Sequence, residues 1–179
     1  MIYVFLANGF EEMEAMAPID CLRRAGKQVV TVAVDGAAIR SSHGMHVIPD
    51  LTEQEITLDD SLEMIVLPGG MPGTLNLAGN ETLAALIRSY DDAGKKLAAI
   101  CAAPSILGVM GILRDKNAVC FPGFEEKLTG AEVFFSPVVC DGNVITSRGM
   151  GTAVPFGLAV ARYFTDDATI EHVKAGLVY

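Results

Sequence analysis

Two hydrophobic periods alternate along this chain. The first is an unbroken apolar run: Ile2-Tyr3-Val4-Phe5-Leu6-Ala7 has strand length and no polar alternation, the signature of a strand covered on both faces, as in a parallel sheet. The β-branched stretch Gln28 to Val34 repeats it, as do Glu63 to Leu67 and Leu97 to Ile100. The second period is helical. Met16, Ile19, Leu22 and Ala25 share one face of a segment that stops at Gly26, where Pro18 is tolerated only near the first turns. Leu83, Leu86, Ile87 and Tyr90 share a face of another, with Asn80 as its N-cap and Gly94 as its end. Ala153 to Tyr163 and about Ala168 to Ala175 predict two more helices.

Strand and helix segments therefore alternate from end to end, which predicts an α/β sandwich around a mostly parallel sheet. Shorter features decorate it. Residues 39–50 predict a strand pair beside the main sheet, and residues 53–60 an acidic connector. Asn117 to Cys120 and Glu132 to Phe135 predict short strands, with a helical turn over Glu125 to Leu128 between them. Val138-Val139-Cys140 and Val144-Ile145-Thr146 flank Asp141-Gly142-Asn143, which is a hairpin signal.

Composition narrows the class without altering this layout. The 179 residues match one domain, 1–179, and no second domain is expected. A hydrophobic share of 51% with 20% charged residues excludes a disordered chain. The net charge of -9 and the lack of a basic run argue against nucleic acid as a partner, because phosphate binding depends on clustered Lys and Arg. Leu97 to Leu113 carries no charge, but it is shorter than the ~20 residues a bilayer requires and is interrupted by Pro104, Ser105, Gly108 and Gly111. No membrane association is expected. The N-terminus lacks the positive residues that open a signal peptide and turns acidic at Glu11, so a cytoplasmic protein is expected. Cys21, Cys101, Cys120 and Cys140 are too few and too widely spaced for a disulfide framework. With three histidines and no paired Cys/His ligands, no metal is expected. His43 and His46, three residues apart, fall on opposite faces of a strand.

The candidate chemistry gathers where strands end. Ala99-Ile100-Cys101-Ala102-Ala103 has the small-x-Cys-x-small form of a nucleophile elbow, a crowded strand-to-helix turn that pushes the central side chain out of the sheet. The sulfur then lies near a helix start, where free N–H groups favour a thiolate. The bland account is that Cys101 is one more small buried residue. Pro68-Gly69-Gly70-Met71-Pro72-Gly73 lets backbone N–H groups approach a ligand closely, as half an oxyanion hole or merely as a turn, and lacks the phosphate-loop pattern. Glu11, Glu12 and Glu14 suit a helix dipole, and any one of them alone is adequately explained as solvated surface. In open α/β sheets the working groups collect at the carboxyl ends of the strands, so Glu14, Gly69-Gly70 and Cys101 can meet. A carboxyl beside a cysteine makes sense if the two share a proton, with the acid neutral and the sulfur ionised. The N–H groups of Gly70 and Ala102 can then hold an oxyanion.

Four motifs carry a resemblance. Glu11-Glu12-Met13-Glu14, Leu67-Pro68-Gly69-Gly70, Ala99-Ile100-Cys101-Ala102-Ala103-Pro104 and Thr146-Ser147-Arg148-Gly149, in this order and spacing, resemble the ThiJ/PfpI superfamily and, within it, the DJ-one branch, over essentially the whole chain. The resemblance implies a flavodoxin-like three-layer sandwich with an added β-hairpin, a homodimer, no cofactor, and a reactive Cys101 partnered by Glu14. It further implies cysteine-dependent stress-response chemistry on small reactive carbonyls, of glyoxalase or deglycase type. The alternative is a redox sensor or redox-regulated chaperone whose cysteine is oxidised to a sulfinate without turnover. Gly69, Arg24, Phe121, Ser147 and Arg148 are the expected supporting residues.

Two departures from the family pattern matter. Relatives often carry a histidine in the segment that here reads Cys120-Phe121-Pro122-Gly123, and Phe121 takes its place. Protease-like relatives carry a histidine directly after the nucleophile, where this chain has Ala102. Both point away from a peptidase, since Cys101 lacks the obvious general base, and Phe121 is also the argument for a member whose site has lost activity. His43 stands where some relatives have an arginine that approaches the partner subunit's site.

Overall fold

Strand β1, Ile2–Leu6, is hydrophobic throughout because its alternate side chains enter two different cores. Ile2, Val4 and Leu6 face one layer of helices, and Tyr3 and Phe5 face the other. The computed structural model describes residues 1–56 and 61–179. Glu53–Glu55 of the expected acidic connector form a 3-10 turn, and residues 57–60 of it lie outside the described residues.

The chain continues through α1 (Glu12–Arg24), β2 (Val29–Ala33), β3 (Ile39–Arg40), β4 (His46–Val47), β5 (Leu51–Thr52) and β6 (Met64–Leu67). Then come α2 (Gly73–Gly79), α3 (Glu81–Asp92), β7 (Lys96–Ile100), α4 (Pro104–Val109), β8 (Asn117–Ala118) and β9 (Glu132–Val133). β10 (Val138–Asp141), β11 (Val144–Ser147), α5 (Ala153–Arg162) and α6 (Asp167–Leu177) complete it. The main sheet has seven strands in the order β10-β11-β7-β6-β1-β2-β5. All its pairings are parallel except that of β10 with β11. This is the α/β sandwich, with a mostly parallel sheet, that the alternation predicts. The hairpin at Asp141–Val144 and the antiparallel pair β3–β4 lie where the turn signals place them.

Helices α1, α5 and α6 cover one face of the sheet, contributing Ile19, Leu22, Phe156, Val160, Ile170 and Val173 to its core. Helices α2, α3 and α4 cover the other with Leu77, Leu83, Ile87, Ile106 and Leu107. Asn80 caps α3 by accepting a hydrogen bond from the Leu83 N–H at 2.7 Å. One helix is not predicted. The seven residues of α2 are bounded by Gly73 and Gly79 and are too few to display a helical period. Helices α1 and α5 meet closely because Gly157 has no side chain. A Cβ there would lie 2.9 Å from both Cys21 Sγ and Pro18 Cα.

Candidate functional site

Cys101 occupies the sharp turn between β7 and α4 with φ +65°, a left-handed backbone that a side-chain-bearing residue adopts only under constraint. The constraint is visible on both sides. Its N–H donates to Ser147 O at 3.0 Å, tying the elbow to β11, and its carbonyl accepts from the Phe121 N–H at 2.7 Å. Ala102 and Ala103 are buried, so the turn closes only because both are small.

Glu14 reaches the same point from the first turn of α1. The start of that helix is fixed by Glu11, whose Oε2 accepts from the Glu14 N–H at 2.8 Å and whose own N–H donates to Gly69 O at 3.0 Å. The Gly69 N–H in turn donates to Glu14 Oε2 at 3.0 Å. Gly69 is a glycine by close approach: a Cβ there would lie 2.6 Å from Cys101 Cβ and 2.7 Å from Glu14 Oε2. The Glu14 carboxyl and the Cys101 thiol act on each other's ionisation, and the Met150 N–H favours the ionised carboxyl. The backbone N–H groups of Gly70 and Ala102 favour the ionised sulfur. Glu14, Gly69, Gly70, Cys101 and Ala102 therefore share one site.

Glu14 is only 1% exposed, and burial pushes its carboxyl up to about 7, with the Glu11 charge adding to the rise and its hydrogen bonds opposing it. Cys101 is pushed up to about 12, first by burial and then by the charge of the Glu14 carboxylate beside it. Burial and the ionised carboxylate thus oppose the expected thiolate, while the Ala102 N–H just before α4 favours it. The repulsion exists only while Glu14 is ionised. When Glu14 holds the proton it donates to the sulfur instead, and the Gly70 and Ala102 N–H groups favour the thiolate. The two groups thus titrate jointly, holding one proton between them near neutral pH.

The supporting residues divide. Ser147 is buried, its hydroxyl bonded to Pro137 O at 2.8 Å and paired with Thr152 Oγ1 at 2.7 Å, so it holds the loop that carries Met150. Arg148 donates to Phe135 O at 3.4 Å and contacts that ring. Phe121 packs beside Gly149, with its Cδ2 3.3 Å from where a Cβ of that glycine would stand. Arg24 is not brought to the site. It closes the far end of α1, ion-paired to Asp20 at 2.6 Å, and ten residues of helical rise, about 15 Å, separate it from Glu14.

Two contributions escaped the sequence. Met150 acts through its backbone, which no residue type signals. Glu12 fastens α1 to the 41–45 turn: its Oε1 accepts from Ser41 Oγ at 2.5 Å and from the His43 N–H at 3.0 Å, and its Oε2 lies 2.8 Å from His43 Nδ1. Although burial opposes it, these bonds hold the Glu12 carboxyl down at about 2. Glu11, Glu12 and His43 bring potential metal-ligand atoms within 4.8 Å of one another. However, Glu11 Oε2 and both Glu12 oxygens are already engaged in these internal bonds.

Comparison with known proteins agrees with this fold. The DJ-1/PfpI family profile matches residues 1–163. Protein dj-1beta of Drosophila melanogaster is 35% identical over 98% of this chain and 95% of its own length. A Pyrococcus horikoshii protein named a deglycase is 33% identical over 79% of this chain and 86% of its own. The solved structure of oxidized Toxoplasma gondii DJ-1 superposes with a TM-score of 0.91 at 32% identity, covering 99% of this chain and 97% of the other.

Proposed function

The chain belongs to the DJ-1/PfpI family, and from that premise we propose that it is a cofactor-free enzyme acting on small reactive carbonyls through Cys101 and Glu14. One observation carries the reading: a buried carboxyl and an elbow cysteine pack together against Gly69, and the Gly70 and Ala102 N–H groups favour the ionised sulfur.

The reactive form of the pair has the proton on Glu14. The thiolate adds to the aldehyde carbon of methylglyoxal, forming a C–S bond as the carbonyl π pair moves to oxygen. The Gly70 and Ala102 N–H groups hold that oxyanion until Glu14 protonates it. Glu14, now a carboxylate, removes the C1 proton and returns it at C2, while the hydroxyl proton passes from the C1 oxygen to the C2 oxygen. The product is a lactoyl thioester. Water cleaves it to lactate and frees the sulfur, so C1 is oxidised and C2 reduced with only water consumed. The test is lactate formation from methylglyoxal without glutathione or added metal. Full turnover by a correctly folded Cys101→Ala variant would overturn the assignment.

A second reading rests on the carboxyl beside the sulfur rather than on accessibility. Cys101 is partly open to solvent and Cys140 is more exposed, but Glu14 acts on Cys101 alone among the four thiols. Two equivalents of peroxide take the thiolate to sulfenic and then sulfinic acid, releasing water or hydroxide, and a protonated Glu14 is a donor for a sulfinate oxygen. Intact-mass spectrometry during peroxide titration tests this: two oxygens confined to Cys101 support it, and no oxidation there removes it.

We further read the protein as a cytoplasmic homodimer. Four free cysteines suit a reducing compartment. The exposed Met13, next to Glu12, and the exposed Met45, whose N–H donates to Ser41 Oγ, offer apolar surface to a second copy. Sedimentation at micromolar concentration distinguishes dimer from monomer.

A further inference from the structure

We propose that a cavity between α2, α3 and α4, on the side of the sheet away from α1, is a second binding site, for a small amphipathic carboxylate. The cavity measures about 380 Å³, within the range of small-ligand pockets. Leu77, Ala84, Ile87 and Ile106 form its apolar wall. Thr74 also lines it, 2% exposed, and Thr74 Oγ1 is the one buried side-chain polar atom among the described residues that has no hydrogen-bond partner. An unpaired buried hydroxyl is costly and is expected to be satisfied by something that enters the cavity.

Charge selects the ligand class. Arg88 and Lys127 are exposed residues of the same lining, and neither forms an ion pair among the described residues. A carboxylate taken by these two cations leaves an apolar body against Leu77, Ile87 and Ile106. A hydroxyl on that body reaches Thr74.

The cavity is joined to the nucleophile by two hydrogen bonds. The Thr74 N–H donates to Gly70 O at 2.9 Å, and Ser105 Oγ donates to Ala102 O at 2.6 Å. Ala102 follows Cys101 in the chain and Gly70 follows Gly69, which packs against Cys101, and both N–H groups favour the ionised sulfur, so occupancy of the cavity is expected to register at Cys101.

The experiment is a titration of the intact protein with octanoate, 8-hydroxyoctanoate and octylamine, followed by amide NMR shifts and by the iodoacetamide alkylation rate of Cys101. The expected result is saturable shifts at Thr74, Leu77, Ile87 and Ser105 with both carboxylates, tighter binding of the hydroxylated one, and none with octylamine. Arg88→Gln with Lys127→Gln should weaken binding at least tenfold, and Thr74→Val should erase the advantage of the hydroxyl group. Saturation should change the alkylation rate at least twofold. The absence of saturable shifts, or equal binding of octylamine, overturns the site. An unchanged alkylation rate at saturation overturns its link to Cys101. Neither readout depends on turnover of a carbonyl substrate, so this proposal and the proposed enzymatic activity fail independently.

Discussion

Cys21 and Cys101 are both raised well above an ordinary thiol, to about 11 and about 12, and burial is the leading cause in each. They differ in everything that makes a sulfur usable. Cys21 sits within α1 in the seam with α5, facing Gly157, and the charges that act on it, Asp20 and Arg24, pair with each other four residues apart along the same helix. Cys101 sits on a left-handed backbone, with a buried carboxyl beside its sulfur and two backbone N–H groups that favour its ionised form. Burial alone makes a thiol inert. Burial beside a group that can take the proton makes it a nucleophile whose charge is supplied locally.

The largest expected effect separates these two residues directly. Cys101→Ala should lower lactate formation by about 10³-fold or more, whereas Cys21→Ala should leave turnover within about twofold and reduce stability by about 1 to 2 kcal/mol. Equal loss of activity in both variants would break the comparison. A methyl group placed in each region sharpens it further. Gly69→Ala drives a Cβ between Cys101 and Glu14, so turnover should fall about 10²-fold. Gly157→Ala presses on Cys21 and Pro18, so it should destabilise by about 1 to 3 kcal/mol with turnover of the folded protein unchanged.

Next in size is a pH dependence of stability. Native Glu14 keeps its proton up to about pH 7, whereas an ordinary carboxyl releases it near 4.5. The native state therefore binds more protons between these values. The stability this contributes is fully present below about pH 4.5 and is lost as pH rises through about 7. Measured against Glu14→Gln by denaturant unfolding, the parent should lose on the order of 3 kcal/mol across that window, and parallel curves would refute the buried acid. The smallest effect lies at the surface. The His43 midpoint, followed by NMR, should lie above 6.5 in the parent because Glu12 bonds its ring, and should fall back toward 6.5 in Glu12→Gln without a change in turnover.

The sheet and most helices are legible in the sequence because hydrophobic period reports burial, and strands such as β1 are buried on both faces. The meeting of Glu14, Gly69, Gly70 and Cys101 is legible because parallel strands deliver their carboxyl ends to one crevice. What escapes is contributed largely by the backbone. The Met150 N–H carries no side-chain signal and α2 is too short for a period, whereas Arg24 is expected on the resemblance alone, against a predicted helix ending at Gly26 that already separates it from Glu14. The charge state of Cys101 also escapes, since a helix start is visible in sequence but the desolvation of the pair is a property of the folded site.

The most direct test of the shared proton is the pH dependence of Cys101 alkylation by iodoacetamide in the parent and in Glu14→Gln. The parent rate should rise through an inflection near pH 7, where the pair loses its first proton, and Glu14→Gln should lack that inflection. The same single inflection in both proteins, near the ~8.5 of an unperturbed thiol, would contradict the pairing of Cys101 with Glu14.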